Sequence, residues 1–453
     1  MAYFGVPQRT GLAFGLNARQ FAKAFSTLFV GLIFLFVFHQ SFVGLFGFIV
    51  ILAVGMLGFF LPVQELPLFN WLETITTHAA KTARWKPQVL QHSERNGGIK
   101  ADYSPFLVEL RRSGSVDYVS HAWGNALLWK LDIPAMNGFA YLPSAEQNRM
   151  LASIEKMMQD FGRNPGVVRF GFTTLDMPST ADGVQHHLDS LPVSPPRFYE
   201  EVAQQTAAIM RDTHIWFFVT TDGTADMLTT KHNVELALQM AAVTATPLTM
   251  TDIGWHVIGI LSDPFTWADK HLNQTFAAPF PEVIKAQLDY VQTDTVKHQC
   301  RMVTTLPRQE VQSNWWAQVQ PRIPQPDVAL ATTVTFNLIP NDQALKMAGR
   351  SLQAAEGAIY ESQVTKGKTD FTAARQLSDA ARRNQEIVSG AALYRVIVGY
   401  HVMSKQLASV RNATRIVDGT FRTSGLDVQT CNGRQLEAFR MLMPFGITRN
   451  QAR

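Results

Sequence analysis

The chain has 453 residues, 46% of them apolar and 17% charged, with a formal net charge of +4. That length supports two or three domains with cores of their own, and the near-balance of charge excludes a general polyanion-binding surface. Cys300 and Cys431 are the only cysteines and carry no metal-ligand spacing, which excludes a secreted disulfide scaffold and fits a reducing compartment.

Residues 1–23 form a basic arm with Arg9, Arg19 and Lys23 and no acid. Residues 24–63 contain no Asp, Glu, Lys or Arg. One membrane crossing needs about twenty apolar residues, so this run predicts a transmembrane helical hairpin of two spans that turns near His39. Arg19 and Lys23 flank it on one side, and Lys81, Arg84, Lys86 and Arg95 follow it. Such flanks stay in the cytoplasm, which predicts a multi-pass protein of the cell membrane with both ends inside. A cleaved signal peptide fits less well, because a second apolar segment follows the first at once and no clear A-x-A site appears after it.

Residues 64–100 read as a juxtamembrane connector helix, with Leu68, Leu72, Ile75 and Ala79 at helical spacing. Trp71 and Trp85 suit the headgroup level, and equally suit packing on the following domain. Residues 101–245 form a first α+β subdomain. Its predicted strands cover 106–112, 116–123, 126–133, 167–175 and 214–221. Its predicted helices cover 143–162, with Ser144 as N-cap and Gly162 past the end, 196–213 and 232–243. Residues 246–453 form a second α+β subdomain. It opens on a buried helix (250–265), then a strand (296–306), a short helix through Trp315 and Trp316, and a strand (327–339). Two long helices, 341–363 and 370–388, form a helical hairpin around TKGKT. A strand (392–402), a helix (404–421), a weak strand (425–430) and a last helix (434–442) complete the chain. The predicted fold class is therefore α+β: an N-terminal two-helix transmembrane hairpin, then a large cytoplasmic module of strand–helix–strand units plus the long helical hairpin.

Few residues carry recognisable chemistry. GKT at 367–369 lacks the leading glycine of a phosphate loop, since Ser362 stands five positions before Gly367, and it joins two helices instead of following a strand. His186, His187 and Asp189 have no second ligand pair at zinc-like spacing. Asp252, His256 and Asp263 share a helical segment without an identifiable nucleophile. Trp315 and Trp316 point about 100° apart on a helix, so at most one of them would face a ring or base. Arg382 and Arg383 with Glu386 offer a grip for an acidic partner, and Arg382 and Glu386 at i,i+4 also make an ordinary surface pair. No metal and no cofactor is expected.

Several stretches, taken in order, carry a family resemblance. GLNARQ (15–20) resembles the lead-in of the two-helix inner-membrane subunit of type IV secretion systems. ALLWKLDI, EQNRMLASIEKMM and VVRFGFTTLDMP are similar to the strand, helix and strand of the amino-terminal domain of conjugative-transfer ATPases. LPRQEV (306–311), the hairpin from Asn341 and the closing GRQLEAFRMLMPFG (433–446) resemble later parts of that domain. The chain departs from that pattern at Met443-Pro444-Phe445, where Leu-Pro-Leu is usual, and residues 176–215 are hard to align. The chain thus resembles membrane proteins of actinobacterial conjugative elements that fuse these two parts.

The resemblance implies a fusion without the motor domain, since the chain stops at Arg453 where a motor would begin. It implies a non-enzymatic inner-membrane scaffold of a conjugative DNA-transfer machine. That scaffold would dock a separate ATPase and other channel subunits in an oligomeric assembly, with Arg382, Arg383, Glu386 and Gln435 as the candidate partner interface. The alternative is a membrane-anchored enzyme acting on nucleotides or lipids. Direct nucleic-acid binding is a third reading, which the balanced charge disfavours.

Overall fold

The structure is a computed structural model. It describes residues 18–38 and 42–60, short stretches between 62 and 101, and most of 108–448. The segments 133–143, 179–210, most of 268–283 and of 307–324, and 367–370 fall outside the described residues.

Two helices open the described chain, α1 (Ala18–Val37) and α2 (Phe42–Phe60). They pack on each other, with Phe48 over Gly31 and Phe34 over Gly47. The transmembrane expectation is corrected here: among the described residues no helix is long and apolar enough to cross a membrane. The turn divides the charge-free run into short pieces. The uncharged part of α1, from residue 24 to Val37, is about 21 Å long and α2 about 28 Å, against a hydrocarbon core of about 30 Å. The first turns of α1 hold Arg19 and Lys23 instead of apolar residues.

The connector expected as one helix is helical at Leu72, Ile75 and Thr76 but not throughout. Strands β1 (Pro62–Val63) and β2 (Leu66–Pro67) pair with each other. β3 (His92–Arg95) and β4 (Gly98–Ala101) form a second small antiparallel pair. Trp71 and Trp85 lie outside the described residues.

The main body is α+β, built on one antiparallel sheet of twelve strands. In chain order its first elements are β5 (Val108–Ser113), β6 (Val116–His121), β7 (Gly124–Asp132), helix α3 (Ser144–Arg163), β8 (Val167–Pro178), β9 (Arg211–Thr221), helix α4 (Met227–Met240) and β10 (Thr244–Pro247). A buried helical segment follows, whose middle, Ile253–Gly259, is a π-helix. Next come β11 (Ile284–Ala286), β12 (Val291–Thr293), β13 (Val296–Thr305) and β14 (Ala329–Ile339). The last elements are α5 (Asn341–Lys366), α6 (Phe371–Val388), β15 (Leu393–Ser404), α7 (Leu407–Thr423), β16 (Asp427–Thr430) and α8 (Gln435–Leu442).

The strand order is β11-β12-β13-β15-β14-β8-β9-β7-β6-β5, with β10 beside β7 and β16 beside β13. β8 pairs with β14 from Arg169↔Asn337 to Asp176↔Leu330, so strands from both expected subdomains share one sheet. Arg211, at the start of β9, fixes this junction. Its guanidinium grips the Asp176 carboxylate at 2.8 Å and donates to the Val328 carbonyl at 2.9 Å. Residues 211–213, expected at a helix end, are strand for this reason; 196–210 lie outside the described residues.

Alternation along the strands separates two faces. On one face Leu127, Trp129, Phe170 and Phe217 pack under α3 and α4, and Leu330, Tyr400 and Val402 pack under α7. On the other face Leu128, Trp216, Ala331 and Met403 meet the π-helical segment, α8 and the residues after it. Gly162, expected as a cap, instead lies within α3 at a close approach, because a Cβ there would overlap Ala392 and the Tyr394 hydroxyl. The α5–α6 hairpin packs only its base, Ala344, Ala348 and Ile387, against Ile339 and Leu393.

Candidate docking surface

Two features stand out: the free end of the α5–α6 hairpin and the way α8 delivers the following residues onto the sheet.

α5 spans 26 residues, about 39 Å at 1.5 Å per residue, so its far end lies well beyond the base that packs on the sheet. Tyr360 and Val364, one helical turn apart, are 70% and 68% exposed there, and Phe371 at the start of α6 is 91% exposed. Large apolar groups this exposed make the end of the hairpin a candidate docking surface. Farther along α6, Arg382 is also exposed, with Asp379 at 3.7 Å and Glu386 at 4.0 Å. These are loose, solvated pairs that contribute little to stability, so their charges are available to a partner. Arg383 is half-buried beside them. Residues 367–369 of the GKT motif lie outside the described residues, between the ends of α5 and α6.

Gln435 is not on this surface. It is 1% exposed, at the first turn of α8. Its Oε1 accepts the Cys300 N–H at 2.8 Å and its Nε2 donates to the Cys300 carbonyl at 3.4 Å. The carboxamide thus stands where a neighbouring strand's peptide group would stand, and satisfies a buried backbone pair.

Beyond Gln435 the chain crosses the sheet under side-chain control. Thr333 Oγ1 donates to the Leu442 carbonyl at 2.6 Å, and Thr173 shares a 2.9 Å hydrogen bond with Thr333. Thr220 Oγ1 donates to the Phe445 carbonyl at 3.3 Å, and Arg169 Nη1 to the Gly446 carbonyl at 2.6 Å. Three neighbouring strands therefore supply donors to three carbonyls, that of Leu442 at the end of α8 and those of Phe445 and Gly446 after it. Phe445 is fully buried, and Gly446 sits at φ +67° where a Cβ would overlap Thr220 Oγ1. His121 completes the wall. Burial, then the nearby Arg169 charge, lowers its pKa to about 4, so it is neutral. Burial also lowers the Arg169 guanidinium to about 10. The PFG of the closing motif is a seat built into the sheet.

A second group of buried polar side chains went unmarked in the sequence. His298 and His401, both fully buried, stack at 5.7 Å, and Phe439 of α8 lies against both rings. His298 Nε2 bonds Thr293 Oγ1 at 2.6 Å, while among the described residues neither His401 nitrogen has a hydrogen-bond partner. Burial lowers the His401 pKa to about 3 and holds His298 well below the usual imidazole range, with the neighbouring His401 adding to the effect. Alternation in VKHQC and GYHVM places both on the inward face, which was the available signal.

The remaining polar candidates have local structural roles. Asp252 closes a capping box with Thr249. Asp263 accepts the N–H groups of Phe265 and Thr266 and the Thr266 hydroxyl. His256 is half-buried, and burial lowers its pKa despite Asp252 nearby. Among the described residues no three His, Cys, Asp or Glu side chains converge as a metal site. His186, His187, Asp189, Trp315 and Trp316 lie outside the described residues.

No family model matches the chain, and no curated protein matches it.

Proposed function

We propose that this chain is a non-enzymatic scaffold subunit of a conjugative, type IV secretion-like DNA-transfer machine, and that it docks a separate ATPase. The observation that carries the proposal is the seat of residues 442–446. The closing motif, which resembles the end of the amino-terminal domain of conjugative-transfer ATPases, is held rigidly on the sheet by Thr333, Thr220 and Arg169. A platform of this kind transmits force only if the element next to its partner is fixed to the core.

The docking surface in this proposal is the α5–α6 hairpin, with the bare Tyr360, Val364 and Phe371 as anchors and Arg382 and Glu386 as its charged flank. The place of work is the cytoplasmic side of the cell membrane, in an oligomeric assembly with the other channel subunits. Mild-detergent purification of the tagged full chain tests the proposal. The expected result is co-elution with a nucleotide-hydrolysing partner; elution of the chain alone, from cells that are transferring DNA, is the opposing one.

A further inference from the structure

We propose that His298 and His401 hold one internal water molecule between them, in the layer where α8 covers β13 and β15. β13 pairs with β15 through His298↔Met403 and Cys300↔His401. The two histidines therefore stand one diagonal step apart on neighbouring strands and share a face. That face carries Cys300 and Met403 into the cluster that α8 closes with Phe439. Both imidazoles are fully buried, and the Phe439 ring packs on each of them.

One hydroxyl fixes the hydrogen-bond roles on the His298 side. Thr293 Oγ1 donates its single proton to the Ser262 carbonyl at 2.7 Å. At its 2.6 Å contact with His298 Nε2 the hydroxyl oxygen therefore accepts, and Nε2 carries the ring proton. His298 Nδ1 is left as a bare acceptor, buried and without a partner among the described residues. His401 is neutral, because burial lowers its pKa to about 3. It presents one N–H and one bare nitrogen, and among the described residues neither has a partner. Ser262 Oγ, beside the carbonyl that takes the Thr293 proton, is a fourth buried polar atom of this kind.

The two rings have complementary needs. His298 Nδ1 lacks a donor, and His401 has an N–H to give. They do not bond directly: the ring centroids are 5.7 Å apart with the planes at 23°. A water oxygen fills both roles at once, donating to His298 Nδ1 and accepting the His401 N–H. Two such bonds of about 2.8 Å each span up to about 5.6 Å, which suits the ring separation. Buried polar atoms are almost always hydrogen-bonded, to protein or to ordered water, and interior waters take two to four polar partners. A metal cation is the poorer occupant, because among the described residues no third His, Cys, Asp or Glu converges with the pair. The water would join β13 to β15 beneath α8 and hold each imidazole in one tautomer. This is independent of the docking proposal.

The test is nuclear magnetic resonance of the full-length protein with isotope-labelled histidine at neutral pH. The imidazole signals are assigned through bonds in the wild type, so no variant has to fold. The expected result is a neutral His298 protonated at Nε2 and a neutral His401. Its N–H is expected to show through-space transfer from water, with the sign of a bound molecule that tumbles with the protein. His298 protonated at Nδ1, or a His401 N–H without transfer from water, overturns the proposal. So does one equivalent of copper or zinc per chain whose removal by a chelator shifts both imidazole signals, since metal then stands where water is assigned.

Discussion

The Arg169 guanidinium donates to the Gly446 carbonyl at 2.6 Å, joining positions 277 residues apart. Arg169 lies on a central strand and Gly446 in the segment after the last helix, so this contact ties the end of the described chain to the middle of the sheet. Truncation of Arg169 would leave a buried carbonyl without its donor, and Arg169→Leu is expected to cost about 1–3 kcal/mol. Urea unfolding measures it as a lower midpoint at unchanged slope.

Gly446→Ala is expected to destabilise by about 1–3 kcal/mol, since φ +67° disfavours an L side chain and the new methyl group would meet Thr220 Oγ1. Relief by Thr220→Ser or Thr220→Ala in the double variant distinguishes crowding from backbone strain. A midpoint equal to wild type for Gly446→Ala would refute the assigned seat.

Gln435→Leu removes the acceptor of the Cys300 N–H and one of two donors to the Cys300 carbonyl, which also accepts from Arg301 Nη1 at 3.3 Å. The expected loss is about 1–3 kcal/mol. Its signature is faster hydrogen exchange at the Cys300 amide, a change that a surface role for Gln435 would not produce.

Three buried histidines make stability depend on pH. His121 is lowered to about 4 and His401 to about 3, and His298 lies well below its usual range. In the unfolded chain each titrates near about 6.5. Folded-state values depressed in this way give stability that is fully present above about 6.5. As pH falls below that, the unfolded chain takes up protons that the folded chain refuses, and stability declines until the folded values are reached. The slope approaches about 1.4 kcal/mol per pH unit for each histidine. Urea midpoints are expected to be level from about pH 8 to 7 and to fall toward about pH 4.5; a midpoint that rises over that lower range contradicts the assignment.

At the hairpin end the expectation reverses. Tyr360→Ser with Phe371→Ser removes exposed rings, so stability stays within about 0.5 kcal/mol while recovery of the ATPase partner falls. Unaltered recovery would move the docking surface elsewhere.

Much of the element sequence was legible because its signals are local. Ser144–Arg163, the α5–α6 pair and the strands from Val296 onward follow apolar periodicity, and their ends lie within a few residues of those expected. The Asn96-Gly97 pair between β3 and β4 is itself a hairpin signal that the helical spacing of Leu68, Leu72 and Ile75 obscured. Long-range information was not legible. The pairing of β8 with β14, which merges the two expected subdomains, depends on contacts over 150 positions apart, as in Thr173 with Thr333. The π-helix at Ile253–Gly259 has no signature distinct from an α-helix. Gln435 reads as a surface residue in isolation because only its partner at Cys300 gives it an inward role. The apolar run at 24–63 predicts two spans from hydropathy and length, yet among the described residues no helix is long and apolar enough to cross a membrane.

The most direct measurement is DNA-transfer frequency from donor cells lacking this chain. The account predicts that transfer is lost on deletion, returns with the wild-type chain, and does not return with the Tyr360→Ser, Phe371→Ser variant present at equal amount. Transfer that persists in the deletion donor would contradict it.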